Sequence, residues 1–164
     1  MLVEQPVVRS DRPLTPVAED FVAAGRARFD QVACFGFVPS SYELVWATLD
    51  ALPRGRFCEW GSGMGVVTGL AEMLGFAALG IEIDAGLADL SRRLLADWSL
   101  SSHIETGDYL TIDTQADVYF VYCWPSRIKA TEARFEQIAP AAARLLICYG
   151  QSDIRLKVRN EAKS

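Results

Sequence analysis

Residues 56–84 read RFCEWGSGMGVVTGLAEMLGFAALGIEID, and this stretch decides the fold. A short apolar run over residues 57–60 leads into a turn that contains three glycines. Apolar residues then recur at helical spacing over residues 66–74, and a second apolar run follows over residues 77–83. The order of strand, glycine turn, helix and strand predicts a βαβ unit.

The glycine turn and the end of the second predicted strand together suggest a nucleoside site. Glycine has no Cβ, so the backbone of the turn can approach a ligand closely. Glu82 lies about 20 residues beyond the turn, at the end of the second strand, where its carboxylate can accept hydrogen bonds from both hydroxyls of a ribose. We therefore assign the turn and this strand end to a cofactor site: Gly61, Ser62, Gly63, Gly65, Glu82 and Ile83.

Glu59, two residues before the first glycine, helps to choose between nucleoside cofactors. The dinucleotide fingerprint is G-x-G-x-x-G, whereas this turn reads G-x-G-x-G. NAD would bring an anionic pyrophosphate to the turn, and a carboxylate would repel it. S-adenosylmethionine brings an amino group and a sulfonium, which are both cationic. The residues favour S-adenosylmethionine over NAD, and the alternative is a glycine turn that only packs a helix on a strand.

The composition of the 164-residue chain is that of one globular domain. Hydrophobic residues make up 51% of the chain, which is enough for a sizeable core. The net charge of −5 disfavours a nucleic-acid partner, because such proteins usually carry a basic surface. We find no apolar run of about 18 residues and no signal-peptide pattern, so we expect no membrane span and a cytoplasmic location.

The cysteine and histidine content argues against a metal site. Cys34, Cys58, Cys123 and Cys148 are widely spaced and form no C-x-x-C pair, and three of them fall inside predicted strands. Buried, reduced thiols are the expected state of these residues. His103 is the only histidine, so a metal-ligating cluster is not predicted.

The residues before the first predicted strand are expected to be partly helical. Residues 1–17 contain three prolines and are predicted to form a flexible arm, which leaves residues 18–164 as the cofactor-binding domain. Helical spacing of apolar residues extends over residues 17–32. A second helix is predicted to begin at Ser40, which forms an S-x-x-E capping box with Glu43.

Beyond residue 84, helical and strand patterns alternate to the end of the chain. This alternation predicts a doubly wound, mostly parallel α/β sheet. Helical patterns extend over residues 85–100 and 127–138. Strand patterns extend over residues 102–105, 116–123 and 143–150, and an alternating, half-exposed strand follows over residues 152–160, antiparallel to the strand before it.

The candidate functional residues converge on one edge of the predicted sheet. Ligands of doubly wound sheets bind at the carboxyl ends of the strands. The glycine turn, Glu82, Asp108 and residues 122–125 all follow predicted strands. This convergence is the strongest indication of a site in the sequence.

With these motifs in order, the chain resembles the Rossmann-like S-adenosylmethionine-dependent methyltransferases over about residues 37–150. The landmarks are EWGSGMG, GIE and GDYL. Two groups of protein-lysine methyltransferases also share the helix opening seen here in FVPSSYELV: the histone-lysine type without a SET domain, and the type that methylates the c-subunit of ATP synthase. The resemblance implies a Rossmann-like sheet of order 3-2-1-4-5 with a short C-terminal strand and an N-terminal helical extension.

The resemblance also implies roles for five residues. Ser40 would touch the methionine end of S-adenosylmethionine, and Glu59 would bind its amino group. Glu82 would hold the ribose hydroxyls. Asp108 would accept a hydrogen bond from the adenine amino group, with Tyr109 against the ring. Three of them have a plainer alternative: Ser40 could only cap its helix, Asp108 could only shape a turn, and Tyr109 could be a core residue.

The stretch after the fourth strand departs from that family pattern. The histone-lysine type has an asparagine pair there, whereas this chain has Tyr122, Cys123, Trp124 and Pro125. The family also commonly ends with two more strands, and only about 14 residues follow Gly150. We take Tyr122 and Trp124 as the catalytic candidates, because aromatic faces at the mouth of the site can hold a cationic lysine or a sulfonium; the alternative is a pair of core aromatics.

The predicted function is S-adenosylmethionine-dependent methyl transfer to an amine, such as a protein lysine, or to a small-molecule acceptor. Two alternatives stay open: a catalytically silent S-adenosylmethionine-binding scaffold or sensor, and an NAD-dependent oxidoreductase. The expected partners are the methyl acceptor and a second copy of the chain in a homodimer. We assign no general base from the sequence.

Overall fold

The computed structural model describes residues 1–30 and 41–160, which form a seven-stranded sheet with helices on both faces. The strands are β1 (Leu2–Gln5), β2 (Arg56–Trp60), β3 (Ala77–Glu82), β4 (His103–Thr106), β5 (Val118–Tyr122), β6 (Arg144–Gly150) and β7 (Asp153–Arg159). The helices are α1 (Pro16–Phe29), α2 (Tyr42–Asp50), α3 (Val66–Met73), α4 (Ala85–Asp97) and α5 (Ile128–Ile138), and a 3₁₀ turn over Pro125–Arg127 precedes α5.

The order of strands across the sheet is β1-β7-β6-β5-β2-β3-β4. Strands β2 to β6 are parallel to one another, and β7 is antiparallel to β6. This confirms the predicted doubly wound α/β sheet. The predicted order 3-2-1-4-5 corresponds to the observed order β4-β3-β2-β5-β6. The final alternating segment is the antiparallel strand that its pattern indicates.

The structure differs from the predicted flexible arm at Leu2–Gln5. These residues form β1, which pairs antiparallel with β7 from Leu2 opposite Arg159 to Gln5 opposite Leu156. Because β7 is itself antiparallel to β6, β1 has the same direction as the central strands. A four-residue strand at a sheet edge carries too short a pattern to be recognised, and its order comes from pairing with a distant segment.

The segment between β1 and α1 is also attached to the body of the domain. The backbone N–H of Ser10 donates to the carbonyl of Ala47 in α2, at 2.9 Å. The guanidinium of Arg12 pairs with the carboxylate of Asp50, whose side chain is 2% exposed. Arg54 donates to the same carboxylate at 2.7 Å. The hydrogen bond from Arg12 is the main reason that the pKa of Asp50 is lowered to about 2.

Replacing Asp50 by Ala is expected to lower the free energy of unfolding by about 1–3 kcal/mol, because charge-assisted bonds from Arg12 and Arg54 are lost. Since the folded pKa lies below the ordinary value of 3.8, the contribution is present above about pH 4 and is lost as the pH falls towards 2. Urea titrations at pH 7 and pH 3 measure both effects. Asp89→Asn is the control, because that carboxylate is 67% exposed and its pair with Arg92 should contribute less than about 1 kcal/mol.

Helix α1 crosses α3 at two glycines. A Cβ built on Gly69 would lie 2.4 Å from Cζ of Phe21, and one built on Gly25 would lie 2.5 Å from Cγ2 of Val66. Glycine normally weakens a helix by about 1 kcal/mol relative to alanine. Here it lets α1 approach α3 closely, so that Phe21 is fully buried against the core of the sheet.

Gly69→Ala is therefore expected to destabilise the protein by about 1–3 kcal/mol despite the better helix propensity of alanine, because the new methyl group overlaps the Phe21 ring. The measurement is chemical unfolding of wild type, Gly69→Ala, Phe21→Leu and the double variant. If the steric account is correct, the alanine costs less in the Phe21→Leu background. Equal costs in both backgrounds would contradict it.

Helix α2 begins at Tyr42, with Ser41 as its N-cap residue but without a side-chain capping bond. The predicted start at Ser40 lies outside the described residues, as does Cys34. The N–H of Ser41 donates to the carbonyl of Gln151 in the turn between β6 and β7, at 3.0 Å. This bond fixes the start of α2 near the carboxyl end of β6. No helix within residues 1–30 and 41–160 combines the length and apolarity needed to cross a membrane.

Candidate functional site

The glycine turn after β2 has a backbone that side chains rarely allow. Gly61, Gly63 and Gly65 have φ angles of 72°, 54° and 78°, in the left-handed region. The N–H groups of Gly61 and Ser62 both donate to the carbonyl of Ile81 in β3, at 2.9 Å. A Cβ placed on Gly61 would meet nothing within 4 Å, so the space above the start of the turn is open to a ligand.

Ser62 lies within this turn, and its side chain packs beside Gly80 of β3. Its side chain is buried, and its Oγ has no hydrogen-bond partner in the described part of the chain. A Cβ built on Gly80 in β3 would lie 2.8 Å from Cβ of Ser62, so a glycine at position 80 makes room for the serine. The sequence interpretation did not single out Gly80, because a glycine inside a strand by itself indicates only a close approach.

Glu82 is held at the end of β3 by two backbone groups. Its Oε2 accepts from the N–H of Gly63 at 2.6 Å, and its Oε1 accepts from the N–H of Asp84 at 3.0 Å. The side chain is buried, so these bonds fix the carboxylate relative to the glycine turn. A carboxylate oxygen can accept more than one hydrogen bond, and Glu82 therefore keeps capacity for donors from a ligand.

Glu59 is a buried carboxyl group on the neighbouring strand. Its Oε2 accepts from both the N–H and the hydroxyl of Thr68 in α3, at 2.8 and 2.6 Å. Burial raises the pKa of Glu59 to about 8, the bonds from Thr68 oppose the rise, and the charge of Glu82 adds to it. A nearby cation would stabilise the ionised form of such a buried carboxyl group. The sequence did not reveal the role of Thr68, since the bond depends on how α3 packs on β2.

Asp108 and Tyr109 lie after β4, as predicted. Oδ1 of Asp108 accepts from the N–H of Leu110 at 2.9 Å, and this bond shapes the turn. The ring of Tyr109 stacks on Trp60, with centroids 4.9 Å apart and planes at 8°. The hydroxyl of Tyr109 lies 2.9 Å from Oγ1 of Thr131 in α5. One face of the Tyr109 ring is thus covered by the protein, and its role beside an adenine stays a prediction.

Four further side chains are placed around the same edge. The rings of Tyr122 and Trp124 meet edge to face, with centroids 6.2 Å apart, and Trp124 is 47% exposed. Ile83, directly after Glu82, is 66% exposed. Cys123, between these two residues in the sequence, is buried, and its Sγ lies 3.4 Å from Oγ1 of Thr131. An exposed tryptophan and isoleucine at the carboxyl ends of a sheet leave an apolar surface available to ligands.

The structure brings most of the predicted residues to adjacent strand ends, because β5, β2, β3 and β4 are neighbours in the sheet. Ser40 lies outside the described residues, so the structure does not place it. Tyr42, the first residue of α2, was not predicted as a site residue. It is buried, and the negative charge of Glu59 adds to the burial that raises its pKa, so it lies within electrostatic reach of Glu59.

No protein-family model matches the chain, and no curated protein matches it in sequence. Solved structures do match its fold. The S-adenosylhomocysteine-bound methyltransferase PaMTH1 of Podospora anserina has a TM-score of 0.63 at 12% identity, over 83% of this chain and 63% of that one. A putative S-adenosylmethionine-dependent methyltransferase of Methanococcus maripaludis has a TM-score of 0.60 at 12% identity, over 87% and 68%.

A third match is the magnesium protoporphyrin IX methyltransferase of Synechocystis PCC 6803 with bound S-adenosylhomocysteine, with a TM-score of 0.55 at 16% identity, over 80% and 69%. At such identities the likeness concerns the fold, which is the Rossmann-like fold of S-adenosylmethionine-dependent methyltransferases. The chain spans 63% of the length of PaMTH1 and as little as 42% of another matched structure.

Proposed function

We propose that this chain binds S-adenosylmethionine at the carboxyl edge of its sheet and transfers the methyl group to an amine or to a small-molecule acceptor. The observation that carries the proposal is the pair of buried carboxyl groups on adjacent strands. Glu82 is fixed by backbone N–H groups and can accept further bonds, whereas Glu59 is desolvated and would be stabilised by a cation. S-adenosylmethionine offers both partners, since it carries ribose hydroxyls and an ammonium group.

The residues of the site suit the parts of this cofactor. The open space over Gly61 would let the cofactor lie against the backbone of the turn. Glu82 would accept from the ribose hydroxyls, and Glu59 would bind the amino group. Asp108 and the exposed Ile83 would flank the adenine, with Tyr109 behind them. A nicotinamide dinucleotide suits the site less well, because its pyrophosphate would face two buried carboxyl groups.

When bound, S-adenosylmethionine supplies a methyl group on a positively charged sulfur. The task of the protein is alignment, since in-line displacement requires the acceptor atom, the methyl group and the sulfur to be collinear. Tyr122 and Trp124 would hold the acceptor at the mouth of the site and exclude water. The hydroxyl of Tyr122 could orient an amine. We assign no general base.

An amine acceptor such as a lysine is supported by the exposed face of Trp124, because aromatic faces attract cations. The net charge of −5 also favours the approach of a cationic substrate, by long-range electrostatic attraction. The protein-lysine subtype rests on the shared motifs, and a small-molecule acceptor is the alternative within the same function.

The test is calorimetric titration of the wild-type chain with S-adenosylmethionine, S-adenosylhomocysteine and NAD. We expect the first two to bind and NAD not to bind. Binding of NAD alone would overturn the proposal. A turnover assay that follows S-adenosylhomocysteine production with lysine-containing peptides and small amines then separates an enzyme from a silent cofactor-binding scaffold, which would bind without turnover.

A further inference from the structure

The end of α1 lies over the start of α3, directly after the glycine turn. Gly25 in α1 is in close contact with Val66, the first residue of α3, since a Cβ on Gly25 would lie 2.5 Å from Cγ2 of Val66. Val66 follows Gly65, the last glycine of the turn. The contact therefore places the last turn of α1, which contains Arg26, beside the helix that follows the glycine turn.

Arg26 lies over the ring of Tyr42, and the charges of Arg26 and Glu59 both act on the Tyr42 hydroxyl. The guanidinium carbon of Arg26 lies 5.4 Å from the centroid of the Tyr42 ring. Burial raises the pKa of Tyr42, the negative charge of Glu59 adds to the rise, and the positive charge of Arg26 opposes it. The ring of Tyr42 thus has the acidic group of the site and the cation of α1 around it.

Arg26 differs from the other arginine in the last turn of α1. Arg28 forms an ion pair with Asp97. Within residues 1–30 and 41–160, Arg26 forms no ion pair and its side chain donates no hydrogen bond, although it is exposed and rests on an aromatic ring. A guanidinium in this position can bind a carboxylate through two parallel hydrogen bonds.

The methionine portion of S-adenosylmethionine is a zwitterion, with an ammonium and a carboxylate on the same carbon. If Glu59 binds the ammonium, the carboxylate must lie a few ångströms away, and without a cation it would be repelled by the acidic site. We propose that Arg26 binds this carboxylate, with Tyr42 as the platform that positions it. The inference rests on the proposed function, and it gives α1 a part in cofactor binding that the sequence did not indicate.

The test compares two ligands that differ only in the carboxylate: S-adenosylmethionine and decarboxylated S-adenosylmethionine. For Arg26→Gln we expect the Kd of S-adenosylmethionine to rise about tenfold or more, as for the loss of a charge-assisted bond. The Kd of the decarboxylated ligand should stay within about twofold. Arg26→Lys should recover part of the affinity, because it restores the charge but not the bidentate geometry. Arg28→Gln is the matched control and should change neither Kd.

The ratio of the two affinities separates recognition from support of the fold. Equal weakening of both ligands by Arg26→Gln would mean that Arg26 only stabilises the packing of α1, and this would overturn the inference. No change for either ligand would overturn it as well. If the wild-type chain bound neither ligand, the proposed function itself would fail, and this outcome is distinct from the other two.

Discussion

Glu82→Ala is expected to weaken binding of S-adenosylhomocysteine by roughly 100-fold or more, because bonds to charged groups are worth about 1.5–3 kcal/mol each and two ribose hydroxyls lose their acceptor. The substitution also removes the acceptor of the Gly63 and Asp84 N–H groups, so the turn itself loses an anchor. Calorimetric titration gives the Kd, and circular dichroism shows whether the variant is folded.

The control for this prediction is Asp117→Asn. Asp117 is also a carboxylate that accepts from a backbone N–H at the end of a strand, since its Oδ2 lies 2.8 Å from the N–H of Arg56. It lies at the amino ends of β2 and β5, on the opposite edge of the sheet. The Asp117→Asn variant should be somewhat less stable than the wild type and keep its affinity for S-adenosylhomocysteine. Wild-type affinity in Glu82→Ala would refute the assignment of Glu82.

Glu59→Gln is expected to have two opposite effects. The variant should bind S-adenosylhomocysteine about 10- to 100-fold more weakly, because the cationic amino group loses a charged partner. Without ligand, however, it should be more stable than the wild type at alkaline pH. In the wild type the folded pKa of about 8 lies above the ordinary value of 4.5, so the folded state holds a proton that the unfolded chain has released.

This proton linkage gives a definite pH dependence. Between pH 4.5 and 8 the folded state binds more protons than the unfolded chain, so the free energy of unfolding falls as the pH rises through this range. The full loss is on the order of a few kcal/mol. Urea titrations of the ligand-free protein at pH 5, 6.5 and 8 measure the slope, and Glu59→Gln should remove it.

A second variant shifts the same slope without removing the carboxyl group. Thr68→Val deletes the hydroxyl that donates to Glu59, and that bond lowers the pKa of the acid. The decline in stability should therefore extend to higher pH than in the wild type. An unchanged pH profile in both variants would show that Glu59 is ionised in the folded protein, and would remove this support for a cationic ligand.

The sequence was sufficient for the parts of the fold that depend on local patterns. The apolar runs around the glycine turn and the position of Glu82 predicted the central βαβ unit, and the regular alternation after residue 84 predicted the rest of the sheet. The strand β1 was not predicted, because its order comes from pairing with β7, more than 150 residues away in the chain. The close crossing of α1 and α3 depends on Gly69, which a helix-propensity argument counts only as unfavourable.

The candidate site was predictable where a residue follows a strand, and not where it depends on tertiary packing. Glu59, Glu82, Asp108 and Tyr122 all lie at strand ends as expected. The bond between Glu59 and Thr68, and the proximity of Tyr42, arise from the way in which helices pack on the sheet. The sequence pattern of α2 does not indicate that Tyr42 is within electrostatic reach of a carboxyl group.

The short strand β1 has a consequence for self-association. A seven-residue strand at the edge of a sheet exposes a row of unpaired N–H and C=O groups that can template pairing with another chain. In this protein β7 is covered by β1, and the sheet ends instead in four residues that include the charged Glu4. Residues 2–5 thus protect the longer strand β7. Their removal would expose the unpaired N–H and C=O groups of β7 and favour association with another chain.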